Sequence, residues 1–204
     1  METEKILPKT GFSGPENPSA NRTRGFPQKE EYAIILEFLP HGYPLEGKMM
    51  PITQAIGKTN LTLLELVPRR GVTLEIGEEV YIGEGKRDKI YYILGKLHRE
   101  KLTEAAKNQL KEFIKKIVEE RESNFFIFFN KSDAMNKRLH QIELLPGFGK
   151  KHMQEIIKQR NEKEFKSFED MKKRIQNLPD PKKAIEKRIF KELTLFERYN
   201  LFVR

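Results

Sequence analysis

Leu144–Met153 reads LLPGFGKKHM. An apolar pair runs into Pro146-Gly147-Phe148-Gly149, and Lys150, Lys151 and His152 open a new helical pattern. Proline stiffens the entry, and glycine at 147 and 149 permits positive φ and a close approach of backbone to ligand. The amides that follow stand at the start of a helix, where unsatisfied N–H groups and the helix dipole favour an anion. Two lysines add charge beside them, so a phosphate is the expected occupant. Gly147, Phe148, Gly149, Lys150 and Lys151 are the candidate phosphate-binding residues. A glycine-capped connector would account for one glycine, but not for Gly-x-Gly followed at once by Lys-Lys and a new apolar stripe. Nothing in the turn reads base edges, so binding is expected to be independent of sequence and to weaken steeply with salt.

The pattern has an echo. QIELLPGFGKKHMQEIIKQ and RIQNLPDPKKAIEKRIFKE share helix, Leu-Pro, short turn, Lys-Lys and helix, with the Leu-Pro pairs at 145 and 178. The second copy lacks both glycines, and Asp180 stands where the first would be. An aspartate there repels phosphate, so the sequence predicts one working grip and one packing turn.

Around this stretch the elements alternate with turns. Ser132-Asp133 is an N-cap candidate for a helix carrying Met135, Leu139 and Ile142 and ending near Leu144. A second helix is expected from Lys150 to about Arg160. A third is capped by Ser167 with Asp170 three residues on, and a last one opens at Pro181. Upstream, Leu102 to Glu120 has apolar residues at three- and four-residue steps and reads as a packing helix. Ser123 to Asn130, with four phenylalanines in five residues, reads as a buried strand or core plug.

The first half has a different texture. Tyr32 to Leu39, Met50 to Ile56, Leu61 to Val67, Glu79 to Ile82 and Lys89 to Leu97 are five short strand candidates separated by Gly/Pro turns. Their number and spacing fit a small β-barrel, either OB-type or SH3-like. Such barrels bind single strands by stacking bases on aromatics beside basic loops. The candidates here are Tyr81, Tyr91 and Tyr92 with Arg69, Arg70, Lys86, Arg87 and Lys89. Strand alternation predicts that one of Tyr91 and Tyr92 faces inward. Residues 1–27, rich in Pro and Gly, read as a mobile tail in which Arg22 and Arg24 are candidate backbone contacts.

Charge divides the same way. Residues 1–98 hold 13 Lys+Arg and 13 Asp+Glu, whereas residues 99–204 hold 26 and 17. The whole net charge of +9 thus lies in the half that carries the hairpin, which points to a polyanionic partner. There is no cysteine, which excludes disulfides, Cys-ligated zinc and thiol nucleophiles. No apolar stretch approaches the roughly 20 residues of a membrane span, and METEKILPKTG lacks a secretory h-region. A cytoplasmic protein without membrane contact is expected. His41, His98, His140 and His152 lack metal-ligand spacing, no Walker loop is present, and the acids interleave with lysines as on solvated helix faces. No enzymatic activity, metal or cofactor is predicted; a nuclease would need acids brought together only in space.

LPGFGKKHMQEII resembles the hairpins of the helix-hairpin-helix superfamily, found in the Holliday-junction protein RuvA and in repair enzymes. The wider pattern resembles a family of uncharacterised archaeal proteins that join an OB-like, cold-shock-type barrel to a tandem helix-hairpin-helix domain. The resemblance spans about residues 28–193 and is most specific at 131–193. It implies an α+β, two-domain protein: a tail at 1–27, a five-stranded OB-like β-barrel at 28–98, a connector at 99–130 and an all-α helix-hairpin-helix domain of the RuvA/SAM-like kind at 131–204. It implies nucleotide, RNA or DNA binding through the turn amides, and in some members a monovalent cation on turn carbonyls, here those of Leu144 and Gly147. A protein-interaction scaffold in a ribosomal or transcription assembly is the alternative, and a structure-specific nuclease or accessory factor is a weaker one.

Overall fold

The computed structural model describes residues 29–44, 47 and 49–203, so the tail with Arg22 and Arg24 lies outside the described residues. Five strands form one antiparallel sheet: β1 (Tyr32–Leu39), β2 (Ile52–Gly57), β3 (Leu63–Pro68), β4 (Glu79–Tyr81) and β5 (Ile90–Lys96). Their order is β4-β1-β2-β3-β5. The first four stand in the Greek-key order, with β4 returning beside β1, and β5 extends the far edge along β3. Bulges interrupt β1 between Ile35 and Glu37, and they interrupt the β3–β5 ladder twice. Each bulge adds local twist, and the sheet curls into a half-barrel that is open between β4 and β5.

Both faces of this sheet are covered, so β2 and β3 are buried at every residue. On the inner face of the curl, Ile35, Ala55, Leu64, Leu66, Ile82 and Ile90 form one cluster. On the other face, Leu36, Ile56 and Leu63 pack with the helices. The alternation of neighbours such as Ala55 and Ile56 between the two clusters is the pleat expressed as packing.

A row of polar residues crosses β1, β2 and β3, where Glu37, Gln54 and Glu65 stand in register. Gln54 donates to the Lys101 carbonyl at 2.7 Å and accepts from the Thr103 amide at 3.2 Å. Glu37 accepts from the Thr103 hydroxyl, and Tyr43 donates to Glu65 at 2.9 Å. The row anchors the start of α1 (Glu104–Glu120), whose N-cap Thr103 accepts from Ala106 N at 3.1 Å. α1 then packs on β1 and on α5 (Pro181–Thr194), joining the sheet to the C-terminal helices.

Two expectations fail locally. The phenylalanine run is not a strand but part of α2 (Glu122–Lys131). Arg121, at φ −113° and ψ 34°, breaks α1, and the chain resumes as helix. Helical stagger sends the rings to different partners: Phe125 and Phe128 meet Phe202, while Phe126 and Phe129 meet Phe168. Only Phe129 is fully buried among them. A continuous apolar run cannot separate these outcomes, because it shows no period of its own.

The helix expected from Ser132 to Leu144 is instead a small hairpin, β6 (Ala134–Asn136) with β7 (Leu139–His140), and then a 3-10 turn over Gln141–Leu144. Asn136 accepts from the Arg138 amide at 2.8 Å, a side-chain turn that competes with helix. His140 then caps the 3-10 turn: its Nδ1 accepts from Ile142 N at 3.2 Å, and Glu143 accepts from His140 N at 3.0 Å. Burial and then the nearby Arg160 hold the His140 pKa below its usual value, which keeps Nδ1 free to accept. The remaining helices, α3 (Lys150–Glu162), α4 (Phe168–Arg174) and α5, begin where the sequence marks them. Ser167 caps α4 by accepting from Asp170 N at 3.1 Å.

Candidate nucleic-acid interface

Leu145-Pro146-Gly147-Phe148 makes one tight turn. Phe148 N donates to the Leu145 carbonyl at 3.1 Å, and Gly147 has φ +87°. Proline second and a left-handed glycine third are the requirements of a type II turn. Leu145 and Phe148 are buried and act as the feet of the turn, with the Phe148 ring 5.7 Å from Phe129. Pro146, Gly147, Gly149, Lys150 and Lys151 are exposed. The Phe148 amide is used inside the turn, so the outward groups are those of Gly147, Gly149, Lys150 and Lys151.

Gly149 is the N-cap of α3, at φ −97° and ψ −177°. This is extended backbone, so positive φ is needed at Gly147 only. No side chain caps α3, and its first turn holds no acid. A Cβ added at Gly149 would meet nothing within 4 Å. The helix therefore opens on free space with lysines at its first two positions. His152, half-buried, lies edge-on to Phe148 with centroids 6.0 Å apart.

Other elements hold the turn in place. Arg160 donates to the carbonyls of Phe129 and Ser132 at 2.9 and 2.8 Å, so the far end of α3 is pinned to the end of α2. Asn130 exchanges two hydrogen bonds with Phe165, at 2.8 and 3.0 Å. The Leu144 carbonyl accepts from Arg188 at 3.4 Å. A guanidinium already lies on that carbonyl, which argues against the monovalent cation implied there by resemblance. Sequence reasoning missed Arg188. It is 2% exposed, pairs with Glu192 at 2.7 Å and Glu197 at 3.1 Å, and donates to the Tyr199 carbonyl. Glu192, also buried, accepts from the amides of Leu201, Phe202 and Val203. In sequence this (i, i+4) pair looks like any solvated one, and only the closing of the C-terminal segment buries it.

The second turn lies beside the first. A Cβ on Gly147 would stand 3.5 Å from the Pro179 Cβ. Here the left-handed residue is Asn177, at φ +56°. Asp180 caps α5 by accepting from Lys183 N at 3.3 Å and pairs with Lys172 at 3.1 Å. Burial works to raise its carboxyl, but the Lys172 ammonium and the Lys182 and Lys183 amides outweigh it and leave the pKa below the usual aspartate value. One helix start is filled by an ionised carboxylate, and the other is open.

The barrel candidates separate into two places. Arg69 pairs with Lys89 across the β3–β5 end, Arg69 N donating to the Lys89 carbonyl at 2.9 Å. Arg69 Nε reaches the Arg87 carbonyl at 2.8 Å, Arg87 Nε reaches the Gly83 carbonyl at 2.8 Å, and Lys89 pairs with Glu78. Arg70 and Lys86 are exposed nearby in the chain. Tyr81 lies on the far side of Arg87, which borders both places. Its hydroxyl accepts from Gly85 N at 3.1 Å, the loop through Gly83 lies against its ring, and Tyr32 stacks edge-on at 5.4 Å. Tyr81 lines a cavity of about 870 Å³ at the open side of the half-barrel, with Leu64, Ile82 and Ile93 among its walls and Arg87 and Lys96 at its edge. Tyr91 and Tyr92 do not alternate. The second bulge of the β3–β5 ladder inserts a residue there, and the two rings touch with centroids 5.4 Å apart. Neither is buried, which overturns the expectation that one points inward.

Among the described residues no three His, Cys, Asp or Glu side chains group to hold a metal ion, and no helix is long and apolar enough to cross a membrane. The sequence profile of a protein family of unknown function, DUF655, matches residues 29–204. The chain belongs to the DUF655 family. It is 42% identical over 189 residues to the uncharacterized protein MJ0038 of Methanocaldococcus jannaschii, covering 92% of this chain and 84% of that one. It is also similar to the crystal structure of Af1531 from Archaeoglobus fulgidus, itself of the DUF655 family. That likeness has a TM-score of 0.73 and 40% identity, and it covers 86% of this chain and all of the other. Both relatives come from archaea.

Proposed function

We propose that this DUF655 protein binds nucleic-acid backbones through the start of α3, without reading their sequence. The observation that carries the reading is the uncapped, exposed helix start at Gly149, behind a rigid type II turn and flanked by Lys150 and Lys151. In this reading the Greek-key sheet is an OB-like barrel, and the two adjacent turns are a helix-hairpin-helix pair. The first hairpin departs from that pattern, since a 3-10 turn rather than an α-helix leads into it. The N-cap filled by Asp180 supports packing as the role of the second turn.

Binding to duplex DNA, single-stranded DNA and structured RNA, titrated with salt, tests the reading. Each phosphate contact contributes about 0.9 to the log–log salt slope on B-DNA. A Lys150→Glu/Lys151→Glu variant that melts like wild type should bind all three more weakly and flatten the slope by about 2. Wild-type affinity in that variant would remove the reading.

One observation favours a second reading, a protein-interaction scaffold. Phe196 is 88% exposed and Leu195 53% exposed, next to Glu197, which Arg188 and Lys191 hold at 3.1 and 2.9 Å. An exposed aromatic beside an anchored residue resembles the anchor of a protein interface. Failure of the wild-type chain to bind any of the three nucleic acids would turn attention to this corner.

A further inference from the structure

β5 breaks its own alternation next to a cluster of cations. Ile90 and Ile93 both belong to the inner cluster, yet two residues lie between them rather than the one or three that a regular strand requires. The ladder shows how: Val67 pairs with Tyr92 and Pro68 with Ile90, so Tyr91 is the inserted residue of the bulge. Tyr91 and Tyr92 therefore leave the strand on the same, outer side. Tyr92 is half-buried and meets Tyr91 at 72° between ring planes, which braces it edge-on. Tyr91 is 64% exposed, an unusual position for a ring on a strand whose neighbour β3 is wholly buried. Beside it, Pro68 leads directly into Arg69 and Arg70, both exposed, and the Arg69 amide is bonded to the Lys89 carbonyl. The acids near this end include Asp88, which is exposed, Glu78, which is engaged by Lys89, and Glu84, which is engaged by Lys29.

An exposed, braced aromatic ring at the end of a strand whose neighbour runs into two exposed arginines, one of them held by its Nε on the Arg87 carbonyl, is the chemistry that holds an unpaired base on its ring and the adjoining phosphates on guanidinium groups. In a duplex the base faces are stacked inside and cannot reach such a ring. We infer that the Tyr91 face, with Arg69 and Arg70, is a binding platform for single-stranded nucleic acid. The inference rests on the nucleic-acid reading above but uses none of the hairpin residues. It gives the barrel a preference the hairpin lacks: the hairpin grips any backbone, and the β5 bulge selects strands with free bases. Tyr81, covered by its glycine loop, takes no part in this platform.

The experiment uses the full chain, a fluorescently labelled oligouridylate and a labelled duplex at one fixed salt concentration, with anisotropy as the readout. Tyr91→Ala should weaken oligouridylate binding about 10-fold and leave duplex binding unchanged, whereas Tyr91→Phe, which keeps the ring, should bind both like wild type. The chain has no tryptophan, so tyrosine emission is directly visible, and saturating oligouridylate should quench it in wild type and less in Tyr91→Ala. Wild-type oligouridylate affinity in Tyr91→Ala overturns the platform, and so does an equal loss on duplex and single strand. The Lys150→Glu/Lys151→Glu variant in the same titration reports on the hairpin separately. Duplex binding lost there with Tyr91→Ala silent on both ligands would sink the platform alone, and no binding of either ligand by wild type would sink both.

Discussion

Gly147 and Gly149 stand two residues apart in one turn, and the structure uses them for different reasons. Gly147 needs a left-handed backbone, which costs other L-residues roughly 1–2 kcal/mol, and Pro179 packs against it. Gly149 needs neither conformation nor space, since its backbone is extended and nothing stands near it. What it lacks is a side chain that would cap α3. Gly149→Ser would supply one and is expected to stabilise the fold by about a few tenths of a kcal/mol, because glycine is already tolerated at an N-cap. The serine oxygen would take up an amide otherwise directed outward, so oligonucleotide affinity should fall while the melting temperature holds or rises. Parallel melting and binding curves read both effects, and unchanged affinity would show that these amides do not meet the ligand. The residue types of this turn were legible in the sequence, Pro-Gly above all. The different duties of its two glycines were not, since only backbone angles separate them.

At the scale of elements, sequence anticipates structure where a cap and a period agree. α1 has Thr103 and its apolar stripe, α4 has Ser167, and α5 has Pro181. It misses α2, where the apolar run has no period, and the β6–β7 hairpin, where Met135, Leu139 and Ile142 mimic a helical face but the Asn136 turn prevails. The largest energetic consequence lies in α5. Arg188 and Glu192 form a buried pair that ties the Leu144 carbonyl, just ahead of the Pro-Gly turn, to the C-terminal segment. Removing one member of such a pair leaves the other charge buried and uncompensated. Arg188→Ala is expected to cost about 3–5 kcal/mol, far more than the surface pair its spacing suggests. Denaturant unfolding measures this; a loss below about 1 kcal/mol, as for exposed pairs, would show the network to be solvated in solution.

Across the whole molecule, one apolar cluster runs from the outer face of the sheet through α1 and α2 to α5. The sheet and the helices therefore share a core even though they differ in texture and charge. Leu110, fully buried in α1, lies within that cluster. Leu110→Ala should cost about 2–5 kcal/mol and should destabilise both parts together. Five of the six tyrosines, at 32, 43, 81, 91 and 92, belong to the sheet half, so their emission follows the sheet while far-UV circular dichroism follows mainly the helices. The two unfolding curves should coincide in wild type and shift together in the variant, as a two-state unit requires. A shift in one probe alone would show two independently folding parts.

The sequence by itself determined the short strands, most of the helix starts, the Pro-Gly turn and the one-sided charge, because caps, turns and alternation are local and residue types declare them. Tertiary structure alone decided that the two turns lie side by side, with Pro179 against Gly147. It also decided that Arg188 is buried and that Tyr91 and Tyr92 share a face. Each of these depends on pairing register or on packing between segments far apart in the chain, and the spacing of neighbours carries no record of either.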